Sequence, residues 1–280
     1  MRKYKTIKKI LLIITLLAIS LIALFPILYP LMSSFRSDQE MFAYANPFQW
    51  HTLIPVDWTI DSYVQLFRDY HMGRYFLNSL IEVSIVIPVT IILCSLAAFA
   101  FTYYEFPAKK IFFGLFMVSF MIPGEAISLP LYQLVNQMGL VNTYAGLILP
   151  ALANGLALFM LTQSFKDIPK SLLEAARMYG GNWFTCYWKI VMPLSKPAIL
   201  SMSLMIFVNE WNNYLWPLLV ARADSVKTVT IAISNFKQEN IINWSLIYAG
   251  SMVSAILPIL IFLPFQKYFA EGIANSGIKE

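Results

Sequence analysis

The segment DIPKSLLEAARMYGGNWFTCYWKIVMPLSKP, residues 167–197, is the long polar interruption in the second half of an otherwise apolar sequence. Its first part is built from good helix formers, and Gly180 and Gly181 can take the positive φ that ends a helix. Asn182 can then cap a second helix, which Pro193 is expected to end before a new apolar run begins. The sequence therefore predicts a helix-glycine-helix hairpin between two membrane spans, referred to below as the 167–197 hairpin.

The first helix of this hairpin carries two small residues and a single carboxylate. The side chains of Ala175 and Ala176 project little from the helix, and Glu174 precedes them. Small side chains allow close backbone approach, and one carboxylate can pair with a basic group, so this helix suits the groove of a partner protein. An ordinary solvated loop helix would show the same pattern, and both interpretations stay open on these residues alone.

The composition excludes the soluble globular classes, because 59% of the residues are hydrophobic and only 12% are charged. Six apolar segments approach the length needed to cross a bilayer, the first of them read as an uncleaved span. They are predicted at residues 10–31, 76–103, 111–134, 144–162, 199–219 and 248–265. The chain is therefore expected to be an all-α integral membrane protein with six transmembrane helices.

The charge distribution predicts the orientation of these spans. If the N-terminus is cytoplasmic, fourteen of the twenty lysines and arginines fall on the cytoplasmic side. This excess predicts that both termini and the 167–197 hairpin are cytoplasmic. The predicted organisation is an N-terminal tail, first span and extracytoplasmic loop over 1–75, a five-helix core over 76–265, and a C-terminal tail over 266–280.

Besides Glu210, which is described with the fifth span below, two acidic residues fall within predicted spans, where a charge is costly. Glu82 lies in the first turns of the second span, where the helix N-terminus and the interface are expected to accommodate it. Glu125 follows Pro123 and Gly124, a pair expected to break the third span. Such a break is tolerated beside a water-filled pathway, and a proline kink near the outer interface would explain the pattern equally well.

A second polar cluster, FVNEWNNYLWPLL at 207–219, occupies the fifth predicted span. On a continuous helix Asn209, Asn212, Asn213 and Trp216 would share one face. Amides and carboxylates bond hydroxyls, and aromatic rings pack on the apolar faces of sugar rings, so this face suits a pathway for a neutral saccharide. The alternative is that the asparagines tie helices together and the tryptophans form an interfacial belt. The predicted pathway residues are Asn209, Glu210, Trp211, Asn212, Asn213 and Tyr214.

The sequence offers little for metal binding or catalysis. His51 and His71 stand alone without the spacing of a metal site. Cys94 and Cys186 fall in different predicted compartments, so a structural disulfide is not expected. No GxxxxGK[ST] segment occurs, so the chain has no phosphate-binding loop of its own. We therefore expect a protein that is not an enzyme and binds no metal.

The residues of the 167–197 hairpin resemble the EAA loop of ABC importer permeases. The likeness rests on Glu174, Ala175 and Ala176, followed by the residues Gly180, Ile190, Pro193 and Pro197. LSKPAI extends it to the carbohydrate-uptake, maltose-type class, and WNNYLWPL resembles the fifth-span motif of that class. The family typically has Asp in place of Tyr179 and Ala in place of Gly181.

This resemblance implies a type I ABC importer permease in the plasma membrane of a bacterium. The implied partners are a cytoplasmic ABC ATPase dimer, a second homologous permease, an extracytoplasmic solute-binding protein and membrane lipid, with no nucleic acid. ATP and Mg would bind to the ATPase. The residues implied to couple to the ATPase are Glu174, Ala175, Ala176, Gly180, Gly181, Ile190 and Pro193. Residues 221–243 would contact the binding protein, and the closing segment after 265 would pack on the ATPase.

Three other functions stay open. A related permease class carries glycerol phosphate esters, and the basic residues do not decide between an anion and a neutral sugar. A self-contained secondary carrier would usually have internal repeats, and none is detectable in the sequence. A membrane-embedded enzyme would need a catalytic constellation, which the isolated histidines and acids do not supply.

Overall fold

In the part of the chain that the structure describes, three helices are long and apolar enough to cross a membrane without a break. The computed structural model describes residues 2–45, 47, 49–237 and 242–277, with side chains described between residues 8 and 265. The unbroken spans are Lys8–Ser33 within α1 (Arg2–Ser33), α4 (Met72–Tyr103), and Trp244–Phe265 within α15 (Trp244–Gly277). Each follows an uninterrupted apolar run, as expected for a bilayer about 30 Å thick.

Three further candidate spans are helix pairs bent at a short break. The helices α5 (Lys109–Met121) and α6 (Gly124–Gln137) meet at 98°. The segment of α7 (Tyr144–Ile148) and the 3₁₀ turn Leu149–Leu152 meets α8 (Gly155–Lys166) at 40°. The third pair, Trp183–Leu194 with α12 (Lys196–Trp211), bends by 75°. If each pair counts as one span, the described chain has six.

The remaining helices are short. They are α2 (Asp38–Ala43), the 3₁₀ turn Trp50–Thr52, α3 (Asp61–Arg68), α9 (Lys170–Met178), α10 (Trp183–Cys186), the π-helix Tyr187–Val191, α11 (Met192–Leu194), α13 (Leu215–Val220) and α14 (Val229–Ser234). Among the described residues, the single β pairing is an isolated bridge between Lys237 and Ile242. The structure therefore confirms the predicted all-α class.

The first of two structural units comprises residues 1–73 and 232–256. Its polar segment is folded around buried charged side chains. Arg36 is buried and donates to the carbonyls of His51 and Thr52, both at 3.0 Å. The carboxylate of Asp38 accepts the backbone N–H of Ser245 at 2.6 Å, which ties the loop to the start of α15. The same segment contains the short helix α3.

The second unit comprises residues 74–231 and 257–280 and contains the 167–197 hairpin. Its core is apolar and joins α4, α8, α9, α12 and the second arm of the hairpin. The fully buried members include Val86, Ala98, Leu161, Phe165, Cys186 and Val191. Both cysteines, Cys94 and Cys186, are free and buried.

Gly146, within α7, lies close against the backbone of Leu140. A Cβ atom at this position would lie 2.2 Å from the carbonyl oxygen of Leu140, and that oxygen already accepts a bond from Thr143 Oγ1. We expect Gly146→Ala to destabilise the protein by about 1–3 kcal/mol, since backbone cannot yield as a side chain does. The measurement is the thermal unfolding midpoint in detergent. Gly114→Ala is the matched control, because nothing lies within 4 Å of the position that its methyl group would take; an equal midpoint for the two variants would contradict the expectation.

Candidate functional site

The 167–197 hairpin has the geometry that its sequence predicts. The first helix, α9, ends at Met178, and Gly180 adopts a φ of +86°. The N–H of Gly181 returns to the carbonyl of Ala176 at 2.9 Å, closing the helix end. Asn182 caps α10 by accepting the N–H of Thr185 at 2.8 Å. The helix-glycine-helix prediction is therefore confirmed.

The second arm differs from the prediction in where it ends. Pro193 does not terminate it: the chain continues from the π-helix into α11 and breaks at Ser195, before α12. A proline is compatible with the first turn of a helical segment, where the N–H that it lacks has no helical partner. The expected ending at Pro193 was thus wrong by two residues.

The tip of the hairpin forms an open groove of about 650 Å³. Its lining includes three predicted coupling residues, Glu174, Gly180 and Gly181. Beside them Met178 is 88% exposed and Tyr179 is 94% exposed. Large apolar side chains so fully exposed next to a carboxylate form the kind of surface that a partner protein covers.

The other predicted coupling residues lie around this groove. Ala175 is exposed on α9, whereas Ala176 is partly buried against the core. Ile190, in the π-helix, also packs against the core, and Pro193 lies in α11. Ile190 and Pro193 do not line the groove, so any role they have in coupling would be to hold the hairpin in place.

Aromatic contacts attach the hairpin to the end of α4. The hydroxyls of Tyr187 and Ser95 are hydrogen-bonded at 2.7 Å in a buried setting. The ring of Trp183 packs against that of Tyr104 with centroids 4.8 Å apart, and the Arg177 guanidinium lies 4.5 Å above the Trp183 ring. These residues were not predicted from the sequence, although the spacing of Trp183 and Tyr187 by four on one helical arm is a signal for a packed face.

The close approach at Gly181 gives a testable expectation. A Cβ atom there would lie 2.7 Å from the carbonyl oxygen of Ala176, the same oxygen that the Gly181 N–H binds. Gly181→Ala should therefore open the turn and speed hydrogen exchange at the amides of Gly180 and Gly181 by about tenfold, a cost of roughly 1–2 kcal/mol. Gly180→Asn is the control, because nothing lies near its Cβ position and asparagine tolerates positive φ. Unchanged exchange in Gly181→Ala would contradict this account of the turn.

A separate cavity of about 660 Å³ lies where two broken segments meet. One wall is the start of α6, directly after the 98° bend at Pro123 and Gly124. The opposite wall is the end of α12 and the start of α13. The polar side chains lining it are Glu125, Ser128, Asn209, Glu210, Asn212, Asn213 and Trp216.

Hydrogen bonds hold the polar wall of this cavity in place. Asn209 donates to the carboxylate of Glu210 at 3.3 Å, and the side chain of Asn213 also bonds to that carboxylate. The Asn212 amide donates to the carbonyl of Val208 at 2.7 Å, and Trp216 Nε1 donates to the carbonyl of Gly146 at 3.2 Å.

The structure corrects how these residues come together. Asn209, Asn212 and Asn213 were predicted to share one continuous helical face, but α12 ends at Trp211 and a new helix begins at Leu215. The asparagines lie close together because they surround the end of α12. There the side-chain amide of Asn212 donates to the carbonyl of Val208 in the last helical turn, and such a bond competes with continuation of the helix.

Two predicted pathway residues lie away from this lining. Trp211 is 3% exposed, stacked on Phe207 with centroids 5.6 Å apart and edge-on to Phe76 at 5.4 Å. Tyr214 precedes α13 and is exposed without contributing to the cavity lining. The geometry gives Trp211 a packing role, which differs from both the predicted pathway role and the alternative of an interfacial belt.

Glu82 was expected near a helix end, and this expectation is wrong. The helix α4 begins at Met72, ten residues earlier, so Glu82 lies well inside it and is 2% exposed. Its Oε1 has no hydrogen-bond partner, and its carboxylate interacts electrostatically with that of Glu210. The approach of these two carboxylates was not predicted from the sequence, because the two residues are far apart in the chain.

Among the described residues, no group of three or more His, Cys, Asp or Glu side chains could hold a metal ion.

Two expected contacts fall on segments that the structure describes only in part. The side chains of the closing segment from Gln266 onward, and residues 238–241 of the loop expected to contact a binding protein, lie outside the described residues. Their predicted contacts stay predictions.

Comparisons with known proteins add to this geometry. A family model described as the binding-protein-dependent transport system inner membrane component matches residues 2–274. The chain is 33% identical to the arabinooligosaccharides transport system permease protein of Halalkalibacterium halodurans, over 99% of both proteins. It is 29% identical to an sn-glycerol-3-phosphate transport system permease protein of Brucella melitensis, over 94% of this chain and 95% of that protein.

A solved structure matches the fold. It comes from a bacterial ABC transporter involved in the import of the acidic polysaccharide alginate, and the TM-score is 0.77. The alignment covers 94% of this chain and 97% of that chain at 23% identity. At this identity the likeness shows the fold alone, and it agrees with the six candidate spans.

Proposed function

Because this chain belongs to the family of binding-protein-dependent transport system inner membrane components, we propose that it is one permease subunit of an ATP-driven importer for a carbohydrate. Family membership makes it a multi-pass protein of the bacterial plasma membrane and a transport component rather than a catalyst. The proposal adds the class of solute, the source of energy and the roles of individual residues.

The observation that carries the carbohydrate assignment is the chemistry of the 660 Å³ cavity. Three asparagines, a serine and two glutamates line it together with Trp216, next to apolar side chains. Neutral amides and carboxylates bond hydroxyl groups, and a cavity of this size can hold a few sugar rings. The arabinooligosaccharide permease is a relative whose solute has this chemistry.

The same lining supports a neutral solute over the glycerol phosphate alternative. Among the described residues that line the cavity there is no lysine or arginine, whereas Glu125 and Glu210 are both present. A phosphate ester would bring at least one negative charge next to these carboxylates without a compensating cation. The cavity therefore favours a neutral, hydroxyl-rich solute.

The 167–197 hairpin is proposed to receive force from an ATPase. Glu174 is exposed and borders the groove, so it is available to a basic residue of the partner. The attachment of Tyr187 to Ser95 links the hairpin to α4. Closure of two ATPase subunits on ATP would then move the hairpin and α4 as one body and switch the spans from inward-facing to outward-facing.

This mechanism requires partners. ATP and Mg are proposed to bind to an ABC ATPase dimer, since the sequence contains no phosphate-binding loop. A second permease is proposed to complete the pathway, and a solute-binding protein to deliver the cargo outside. The name of the family supports the binding protein.

The test is purification of the tagged chain from its native membranes in gentle detergent, with identification of the proteins that accompany it. We expect an ATPase with a phosphate-binding loop and a second permease. The complex, in liposomes with its binding protein, should then take up a labelled neutral oligosaccharide in an ATP-dependent manner, and sn-glycerol-3-phosphate poorly.

Two results would contradict the proposal. Preferential uptake of the phosphate ester would overturn the carbohydrate assignment and leave the importer intact. ATP-independent uptake by the chain alone would instead favour a secondary carrier and overturn the coupling role of the hairpin.

A further inference from the structure

A second polar cavity, of about 410 Å³, lies at the end of the spans where the hairpin begins. It is bounded by the end of α4, the start of α5, the end of α8 and the start of α9. Four lysines line it, Lys109, Lys110, Lys166 and Lys170, against one acidic residue, Glu105. The cavity therefore carries an excess of positive charge and plays no part in the solute site.

Only one of these lysines is neutralised within the described part of the chain. Lys109 is bonded to Glu105 at 3.2 Å and to the carbonyl of Tyr104 at 2.8 Å. Lys110, Lys166 and Lys170 are exposed, and none has a carboxylate of a described residue within ion-pair distance. Three ammonium groups around one concave surface can bind the oxygens of a phosphate.

The surroundings of the cavity indicate which phosphate compound fits. The helix α5 begins at the cavity and continues as a span whose apolar side chains are largely exposed. The first of these are Ile111, Phe112, Leu115 and Phe116, each at least 50% exposed. Phe113 lines the cavity itself, with Lys166 Nζ 5.7 Å from its ring. A phosphate in the cavity thus has an apolar surface beside it along which acyl chains can lie.

We propose that this lysine cavity binds the headgroup of an anionic phospholipid, with the acyl chains along the exposed face of α5. Basic cavities between transmembrane helices at the membrane surface bind such headgroups. A free phosphate anion shares the charge but would leave the apolar surface of α5 unused. The inference rests on the membrane location of the chain and does not depend on the transported solute.

The bound headgroup would have a position relevant to coupling. Lys109 and Lys110 begin α5, whereas Lys170 begins α9, the first helix of the 167–197 hairpin. A phosphate between them would join the α4–α5 loop to the base of the hairpin and offset the repulsion among the lysines. Anionic lipid would then stabilise the arrangement through which the hairpin moves.

The experiment is native mass spectrometry of the tagged full-length chain with its co-purified subunits. The complex is released from nanodiscs containing equal amounts of phosphatidylglycerol and phosphatidylcholine, and the lipids that stay bound are counted. We expect selective retention of phosphatidylglycerol by the natural protein. Lys110→Gln/Lys166→Gln should lower this retention by roughly tenfold or more, because each lysine near a phosphate contributes about a fivefold factor.

The matched control is Lys189→Gln/Lys196→Gln, which removes the same charge from exposed lysines of the hairpin outside the cavity. It should keep the selectivity. Equal retention of both lipids, or equal loss in both double variants, would overturn the site. Suppose that excess inorganic phosphate displaces the retained lipid and that the two lipids are retained equally. This pair of results would assign the cavity to a free anion and overturn the lipid proposal.

A second measurement does not depend on the variants folding. A photoreactive phosphatidylglycerol added to the natural complex should label peptides that cover 101–113 and 162–170. Labelling spread evenly over the apolar spans would overturn the proposal. The double variant Lys110→Gln/Lys166→Gln gives a further outcome that would overturn the proposal. If this variant lost the ATPase subunit but bound lipid as well as the natural protein, the cavity would be an ATPase contact.

Discussion

Glu174→Lys is expected to lower ATP-dependent uptake by at least one hundredfold while the chain stays in the membrane at its natural abundance. The carboxylate is exposed and lines the groove at the tip of the 167–197 hairpin. Its replacement therefore disturbs no buried contact, and surface changes of this kind usually alter stability by less than about 0.5 kcal/mol. Within a complex the same change places a cation against the proposed basic partner, and like charges in an interface cost several kcal/mol.

The measurement compares uptake, ATP hydrolysis and the amount of co-purified ATPase in the same preparation. We expect ATPase recovery to fall with uptake. Asp57→Lys is the matched control: it makes the same charge change at an exposed position in the loop before α3, outside the groove and both cavities. Full uptake by Glu174→Lys would remove this residue from the coupling surface, and equal loss in both variants would attribute the effect to general charge.

Glu210→Leu is expected to lower uptake by more than tenfold, chiefly through a weaker apparent affinity for the solute. Glu210 is largely buried at the edge of the 660 Å³ cavity and accepts hydrogen bonds from Asn209 and Asn213. Leucine has a similar volume but accepts nothing, so it leaves two amide donors without their partner and removes an acceptor for the solute. An unmet hydrogen bond of this kind costs about 1–3 kcal/mol.

The conservative variant Glu210→Gln separates polarity from charge. Glutamine keeps the volume and one acceptor oxygen, so it should retain most of the uptake if the role of Glu210 is to bond hydroxyls and amides. Glu82 lies nearby with an unpartnered oxygen, and Glu210→Gln also removes one of the two neighbouring carboxylates. The measurement is initial uptake against solute concentration. Natural kinetics in Glu210→Leu would assign this residue to helix packing.

Much of the fold was predictable because the signals are local. Apolar runs of about twenty residues determine where a helix can cross a bilayer, and Pro123 with Gly124 determines where the third span breaks. The hairpin likewise depends on neighbouring residues, since the positive φ of Gly180 and the cap at Asn182 need no distant contact. The type I importer permease fold followed from the motif that these residues carry and agrees with the family match.

The candidate site was predictable only in part. The amides around Asn209 and Asn212 were found as a polar cluster in an apolar span, which is costly and therefore informative. The arrangement of these amides was not predictable, because the sequence contains no reason for α12 to stop at Trp211 rather than continue. For the same reason Trp211 was predicted to line the pathway, whereas in the structure it packs on Phe207 and Phe76.

The sequence by itself determined the membrane class, the six apolar segments, the hairpin and its family, since each depends on residues within a few turns of one another. Only the tertiary structure decided which side chains share a space: Tyr187 with Ser95, Glu82 with Glu210, and four lysines around one cavity. Ser95 and Tyr187 are 92 residues apart in the chain, and Glu82 and Glu210 are further apart still. Their meeting depends on how bent helices pack, and packing is a property of complementary surfaces that no single segment encodes.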